Sequence, residues 1–164
     1  MREKLKQHIP QPLADLYRAT RDNLTLSLQY PQSRLHPWRA DSIRKLELLQ
    51  NSHKGERCVI IGNGPSLKNT DLQKLRDTFT IGMNRFYMAF TDMGFTTSIL
   101  LTVNNLVIEQ CADDLRSLPI PTFVSWRGRR YIQPAPNLHY LYTSYIKPRF
   151  SADATGRLWE GATV

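Results

Sequence analysis

The 164-residue sequence predicts an α/β fold, an open parallel sheet with crossover helices, preceded by an N-terminal helical extension. Two observations carry that expectation. From Arg57 onward, short apolar runs of strand length alternate with polar, helix-compatible stretches, the rhythm of parallel strands joined by helices. Before that point, apolar residues recur at roughly helical spacing between proline and glycine boundaries.

The extension covers 1–56. Leu13, Leu16, Tyr17, Leu24 and Leu28 predict a helix over 14–29. Leu24, Leu26, Leu28 and Tyr30 also alternate as a strand would, but no turn signal breaks the segment, which favours helix. Pro31 and Pro37 predict a loop. Asp41 is then the expected cap of a second short helix with Ile43, Leu46 and Leu49 inward, ended by Lys54-Gly55.

The domain proper covers 57–164, with strands expected at 58–62, 78–83, 98–103, 122–126 and 139–142 and helices at 71–76, 85–93 and 106–118. The unbroken run Val59-Ile60-Ile61 predicts a strand covered on both faces. Trp159-Glu160-Gly161-Ala162-Thr163-Val164 reads as the start of a helix with no closing element after it. The domain is therefore expected to be the N-terminal part of a longer one, truncated at its C-terminus.

Composition narrows the function classes. A hydrophobic share of 41% excludes wholesale disorder. Cys58 and Cys111 lie in apolar contexts and are expected as buried thiols, not as a disulfide framework. No apolar run reaches roughly 18 residues and the N-terminus lacks the core of a secretory signal, so the predicted location is the cytoplasm. Of the net charge (22 − 14 = +8), residues 1–57 hold 11 Lys+Arg and 6 Asp+Glu (11 − 6 = +5). The basic surplus thus belongs mostly to the extension. A nucleic-acid module is not the reading, because no basic-aromatic RNA motif, zinc-finger spacing or helix-turn-helix accompanies the charge. Arg2, Lys4, Lys6, Arg18 and Arg21 leave a peripheral membrane role open, but Thr25 and Ser27 interrupt the apolar face and favour a packing helix.

The chemistry centres on Cys58-Val59-Ile60-Ile61-Gly62-Asn63-Gly64-Pro65-Ser66-Leu67. An apolar strand running into Gly-Asn-Gly predicts a sharp turn and a close approach of backbone to ligand. Free N–H groups there, with a helix dipole behind them, favour an anion such as phosphate. The pattern is G-x-G-x-x-L instead of G-x-G-x-x-G, Pro65 removes one donor, and no Gly-Lys-Ser/Thr follows. At the second strand end, Asn84 faces two alternatives. It either shares a ligand with Asn63, its amide suiting a ribose hydroxyl or base edge, or it caps the helix that follows. Asn104 stands at the third strand end. Arg127, Arg129 and Arg130 at the fourth read as a solvated loop before a phosphate clamp. None of His8, His36, His53 or His139 is placed at a strand's carboxyl end, so no catalytic base is assigned. Asp71 and Asp92 read as isolated surface or capping residues, and no metal site is assigned.

The block Val59 to Leu67, followed by Met83-Asn84-Arg85-Phe86-Tyr87 and then Leu106-Val107-Ile108-Glu109-Gln110, resembles the MptE-like (hydroxymethylpterin diphosphokinase-like) family and the related small bacterial sialyltransferases. The resemblance covers 57–164 and implies a Rossmann-like nucleotide-binding fold. From the sialyltransferases it implies that Gly62, Asn63, Gly64 and Ser66, with Pro65 in the same loop, lie along the phosphate and ribose of a CMP-sugar. Asn84 is then a further nucleotide ligand. Asn104 falls one residue past the aligned third asparagine and is carried as a further candidate. Gly161 matches a glycine that contacts the nucleotide, with Glu160 where those enzymes have a serine, and their general-base histidine lies downstream of Val164. The implied function is a nucleotide-dependent transferase, a glycosyltransferase acting on a glycan or lipid-linked sugar. The alternative from the MptE-like side is transfer of diphosphate from ATP, with Mg²⁺, to a hydroxymethylpterin. A nucleotide-binding fragment without turnover is the non-enzyme alternative.

Overall fold

The computed structural model describes residues 10–146 and 151–159. The chain divides into two compact units between Leu35 and His36.

Among its described residues the first unit is one long helix, α1 (Gln11–Leu35). It runs through Pro31, where a loop was expected. Proline has no N–H to give Ser27, but Ser27 and Pro31 are both exposed and water can take that carbonyl, so the helix continues for one more turn. Leu13, Leu16, Tyr17, Leu24 and Leu28 are all exposed, not packed.

The second unit begins with α2 (Pro37–Leu49). Its cap is His36, not Asp41. The His36 ring nitrogen Nδ1 accepts from Trp38 N at 3.3 Å, and Pro37 occupies the first helical position, where its missing N–H costs nothing. Asp41 lies inside the helix and pairs with Lys45 at 2.8 Å and Arg44 at 3.5 Å. The Lys45 hydrogen bond holds the Asp41 carboxyl below its ordinary range. Ile43 and Leu46 are buried, while Leu49 is exposed. A turn through Asn51 and Gly55, both with positive φ, leads into the sheet.

Six strands follow: β1 (Cys58–Ile61), β2 (Phe79–Met83), β3 (Ile99–Thr102), β4 (Thr122–Ser125), β5 (Leu138–Ser144) and β6 (Arg157–Trp159). They form one all-parallel sheet in chain order, an α/β, Rossmann-like architecture. Five strands stand where the sequence placed them. The sixth does not: Trp159 ends a strand instead of opening a helix, and Glu160 to Val164 lie outside the described residues. Parallel crossovers are right-handed, so a monotonic strand order carries the successive connections over one face. Those connections are short: the 3₁₀ turns Pro65–Asn69 and Leu72–Leu75, the turn Phe86–Ala89 with α3 (Phe90–Met93), α4 (Asn105–Gln110), α5 (Ala112–Ser117) and the turn Trp126–Arg130. The single helix expected over 106–118 is broken at Cys111, whose φ of −122° is not helical.

On one face of the sheet, Leu46 of α2 packs with Phe123 and Leu141, bordered by Ile99, Leu101 and Leu158. The α2 hydroxyl of Ser42 also accepts from Tyr140 N at 2.8 Å. That N–H lies before Tyr142–Ser144, the part of β5 that β6 pairs. Arg39 reaches Thr155 O at 2.6 Å. Helix α2 therefore belongs to the sheet unit, although the sequence grouped it with the extension. β4 and β5 are buried throughout. β1 is an edge strand: Ile61 is buried but Ile60 is 66% exposed, so only one of its faces is covered. Cys58 is exposed with it, and only Cys111 is a buried thiol.

Candidate functional site

A cleft of about 690 Å³ opens beyond the carboxyl ends of β1 and β2, within the usual range of small-molecule sites. Asn63 lies on one wall. Arg85, next in sequence to Asn84, and Phe86 lie on the other, with Lys68, Asp71 and Asp92 adding charge. Leu67, Leu72, Met88 and Met93 supply apolar lining. Two cations and two carboxylates thus share a partly apolar recess.

Of the Gly62-to-Ser66 loop only Asn63 lines this cleft, Gly62, Gly64, Pro65 and Ser66 do not, and the loop is built otherwise than expected. Neither Gly62 nor Gly64 has positive φ, so no left-handed turn requires them. A Cβ at Gly62 would meet nothing within 4 Å, and one at Gly64 would come no closer than 3.6 Å, to Ser66 Oγ. What the glycines provide is open space beside the backbone, where a ligand can come close. Pro65 starts a 3₁₀ turn of five residues, too short to supply the expected helix dipole. The turn is capped by Gly64 with no side-chain hydrogen bond, and Ser66 is exposed.

Asn84 is not a helix cap. It has φ of +54°, a left-handed backbone that asparagine tolerates better than other non-glycine residues. Its N–H donates to Leu101 O at 2.8 Å, and its side-chain oxygen accepts from Thr102 Oγ1 at 3.2 Å. The ends of β2 and β3 are thereby tied together through one side chain, whose half-buried amide nitrogen forms no hydrogen bond among the described residues. Asn104 does cap a helix: its side-chain oxygen accepts from Leu106 N at 3.0 Å at the start of α4. That oxygen is engaged, and the residue is absent from the cleft lining. Gly161 lies outside the described residues.

The cleft walls are held from behind. Gln73 Nε2 donates to Met93 O at 2.7 Å and Arg76 donates to Gln73 Oε1 at 2.9 Å, joining the Leu72–Leu75 turn to α3. The turn Phe86–Ala89 is anchored by Tyr87, whose hydroxyl donates to Asp114 of α5 at 2.7 Å. Burial, then hydrogen bonds to Cys111 and Asp114, push the Tyr87 phenol well up, keeping it a donor. A Cβ at Gly82 would lie 2.9 Å from Phe86 Cδ1 and 3.1 Å from Thr97 Oγ1. Glycine is needed there to let Phe86 lie down on β2.

Asp71 caps its own turn through Gln73 N at 3.2 Å and both Asp71 and Asp92 are exposed, as a surface or capping reading expects, but the two share the lining of one cleft instead of standing isolated. Among the described residues no group of three or more His, Cys, Asp or Glu comes together as a metal site. Arg85 and Lys68 were not singled out by sequence, although Arg85 follows the second strand end directly. The arginines of the Trp126–Arg130 turn lie outside the cleft lining and stack on aromatics. Arg129 sits 4.4 Å over the Trp126 ring and Arg127 5.5 Å over Tyr145. His139 is buried within β5 and stacks on Phe123 at 4.8 Å. Burial, then Lys45, pushes its pKa down to about 4, so it is neutral at physiological pH. No helix among the described residues is long and apolar enough to cross a membrane.

No protein-family model, no curated protein and no solved structure matches the chain.

Proposed function

We propose that this chain is a nucleotide-dependent transferase, a sialyltransferase-like glycosyltransferase that seats a CMP-sugar against the Gly62-to-Ser66 loop. The observation that carries the reading is the cleft itself. It lies at the carboxyl edge of a parallel sheet, where α/β proteins bind ligands, and Asn63 of the Gly-Asn-Gly loop and Arg85 after the second strand end both line it. Lys68 and Arg85 suit the phosphate, Asn63 suits a ribose or base edge, and Leu67 and Met88 suit an apolar ring face; Asn84, outside the lining itself but next to Arg85, offers its amide N–H at the rim. The acceptor is a glycan or lipid-linked sugar, in a cytoplasmic or membrane-peripheral setting.

A second reading is favoured by one specific feature, the presence of Asp71 and Asp92 on the same cleft. Mg²⁺ is commonly held by one or two carboxylates together with substrate phosphates. That arrangement suits an MptE-like diphosphokinase using ATP and Mg²⁺ on a pterin. A nucleotide-binding fragment without turnover is the non-enzyme form of either reading.

Calorimetric titration with CMP, CMP-sugar, ATP and ATP with Mg²⁺ separates them. CMP and CMP-sugar are expected to bind, with about a tenfold loss in Arg85→Ala, whose exposed side chain leaves the fold untouched. Binding of ATP with Mg²⁺ alone, weakened in Asp92→Asn, would replace the first reading by the second. Binding of neither nucleotide would end both.

A further inference from the structure

The long helix α1 carries a feature that the nucleotide cleft leaves unused. Leu13, Leu16, Tyr17, Leu24 and Leu28 are 57–68% exposed. At 3.6 residues per turn they fall within a stripe roughly 120° wide along one side of the helix. Large side chains left open together along one side of a helix mark an interaction surface, unlike single exposed leucines.

The spacing of that stripe identifies its occupant. Leu13 and Tyr17 are four apart, Tyr17 and Leu24 seven, Leu24 and Leu28 four, so the pattern reads the same in both directions. Two antiparallel copies related by a two-fold axis between Thr20 and Arg21 would set Leu13 against Leu28 of the second copy and Tyr17 against its Leu24. Each contact is made twice, as an isologous interface requires. Thr20 and Arg21, the polar residues nearest the seam, are engaged along the helix: Thr20 Oγ1 donates to Leu16 O at 2.9 Å and Arg21 pairs with Asp22 at 2.9 Å. Thr20 brings its methyl group to the contact, and the Arg21 guanidinium has a carboxylate partner on its own helix.

Area agrees with that assignment. At about 100 Å² for each of the five side chains, the stripe offers about 500 Å² of apolar surface per copy. Roughly three-fifths of a typical interface is apolar, which corresponds to about 800 Å² per partner, the size of a stable protein–protein contact. A lipid surface fits less well. Arg18 pairs with Asp15 at 3.5 Å and Arg21 with Asp22 at 2.9 Å, so these cations are already neutralised along the helix.

We infer that α1 is a homodimerisation helix, pairing antiparallel with α1 of a second copy through Leu13, Tyr17, Leu24 and Leu28. The inference stands independently of what the cleft binds.

Sedimentation equilibrium of the whole chain tests it. A dimer of twice 19.0 kDa is expected at micromolar concentration. Leu24→Glu places two carboxylates in the seam and should weaken association by about a hundredfold or more. Because Leu24 is exposed, helix content by circular dichroism should stay unchanged, and Leu13→Glu provides a second variant at the outer contact. In a Cys58→Ser background, Tyr17→Cys and Leu24→Cys chains mixed under mild oxidation should form the mixed disulfide in preference to either like pair. A wild-type monomer, a dimer that survives both glutamates, or preference for like-residue disulfides would overturn the inference. A monomer that co-sediments with anionic vesicles would replace it by a lipid surface.

Discussion

Asn84 offers the sharpest separation of fold from the proposed function, because its backbone and side-chain oxygen serve the fold while only its amide nitrogen is open to a ligand. Replacing it with glycine removes the acceptor for Thr102 Oγ1, a group that is 1% exposed and is left without that partner. An unpaired buried hydroxyl of this kind costs about 1–3 kcal/mol. Alanine removes the same acceptor and must also adopt a φ near +54°, which adds about 1 kcal/mol because it lacks the tolerance of asparagine for left-handed backbone. Aspartate keeps the acceptor for Thr102 and loses only the N–H donors. The expected order of stability in urea unfolding is therefore wild type close to Asn84→Asp, then Asn84→Gly, then Asn84→Ala. The last two should differ by about 1 kcal/mol. Nucleotide affinity should follow a different order. Glycine and alanine should each lose about tenfold, the worth of one neutral hydrogen bond, and aspartate should lose more because it brings a negative charge to an anionic ligand. If alanine and glycine prove equally stable, the backbone reasoning fails. If nucleotide affinity is the same in all three variants, Asn84 does not touch the ligand.

Two further predictions concern the scaffold. A Cβ at Gly128 would lie 2.6 Å from Ile108 Cδ1, so Gly128→Ala should destabilise by about 1–3 kcal/mol. Ile108→Val removes that methyl and should restore part of the loss in the double mutant, read as a non-additive shift in the urea midpoint. Additive losses would contradict the contact. His139, with a folded pKa near 4 against an ordinary 6.5, is neutral in the folded chain while the unfolded chain takes up a proton. Its contribution is absent above pH 7. Stability should fall as pH drops from about 6.5 towards 4, by at most about 3 kcal/mol, since the unfolded state binds more protons in that window. Urea unfolding across this range should show the slope in wild type and its loss in His139→Phe. An equal slope in both would assign it to other groups.

The five strand positions were legible because each is a run of apolar or β-branched residues between polar stretches, and backbone alternation is a local property. Ile60 and Ile61 show where such reading stops. Adjacent and equally apolar, they were both expected to be covered, yet β1 is at the edge of the sheet and only one of its faces has anything against it. Pro31 shows the opposite failure, a breaker that an exposed helix passes through. β6 is three residues of mixed character, Arg157–Trp159, and no periodicity can announce so short a strand.

Around the cleft, the sequence by itself marked Gly62-Asn63-Gly64 and Asn84 at the second strand end, because apolar runs ending in glycine or asparagine are local signals. Only the tertiary structure decided that Asn104 caps α4 while Asn84 bridges to Thr102, that Asp71 and Asp92 share one recess, and that α2 belongs to the sheet. Each of these depends on which residues distant in sequence come to lie beside one another. Thr102 lies 18 positions from Asn84, and Tyr140 lies 98 from Ser42. Side-chain hydrogen bonds and burial are set by those neighbours, and no window of the sequence contains both partners.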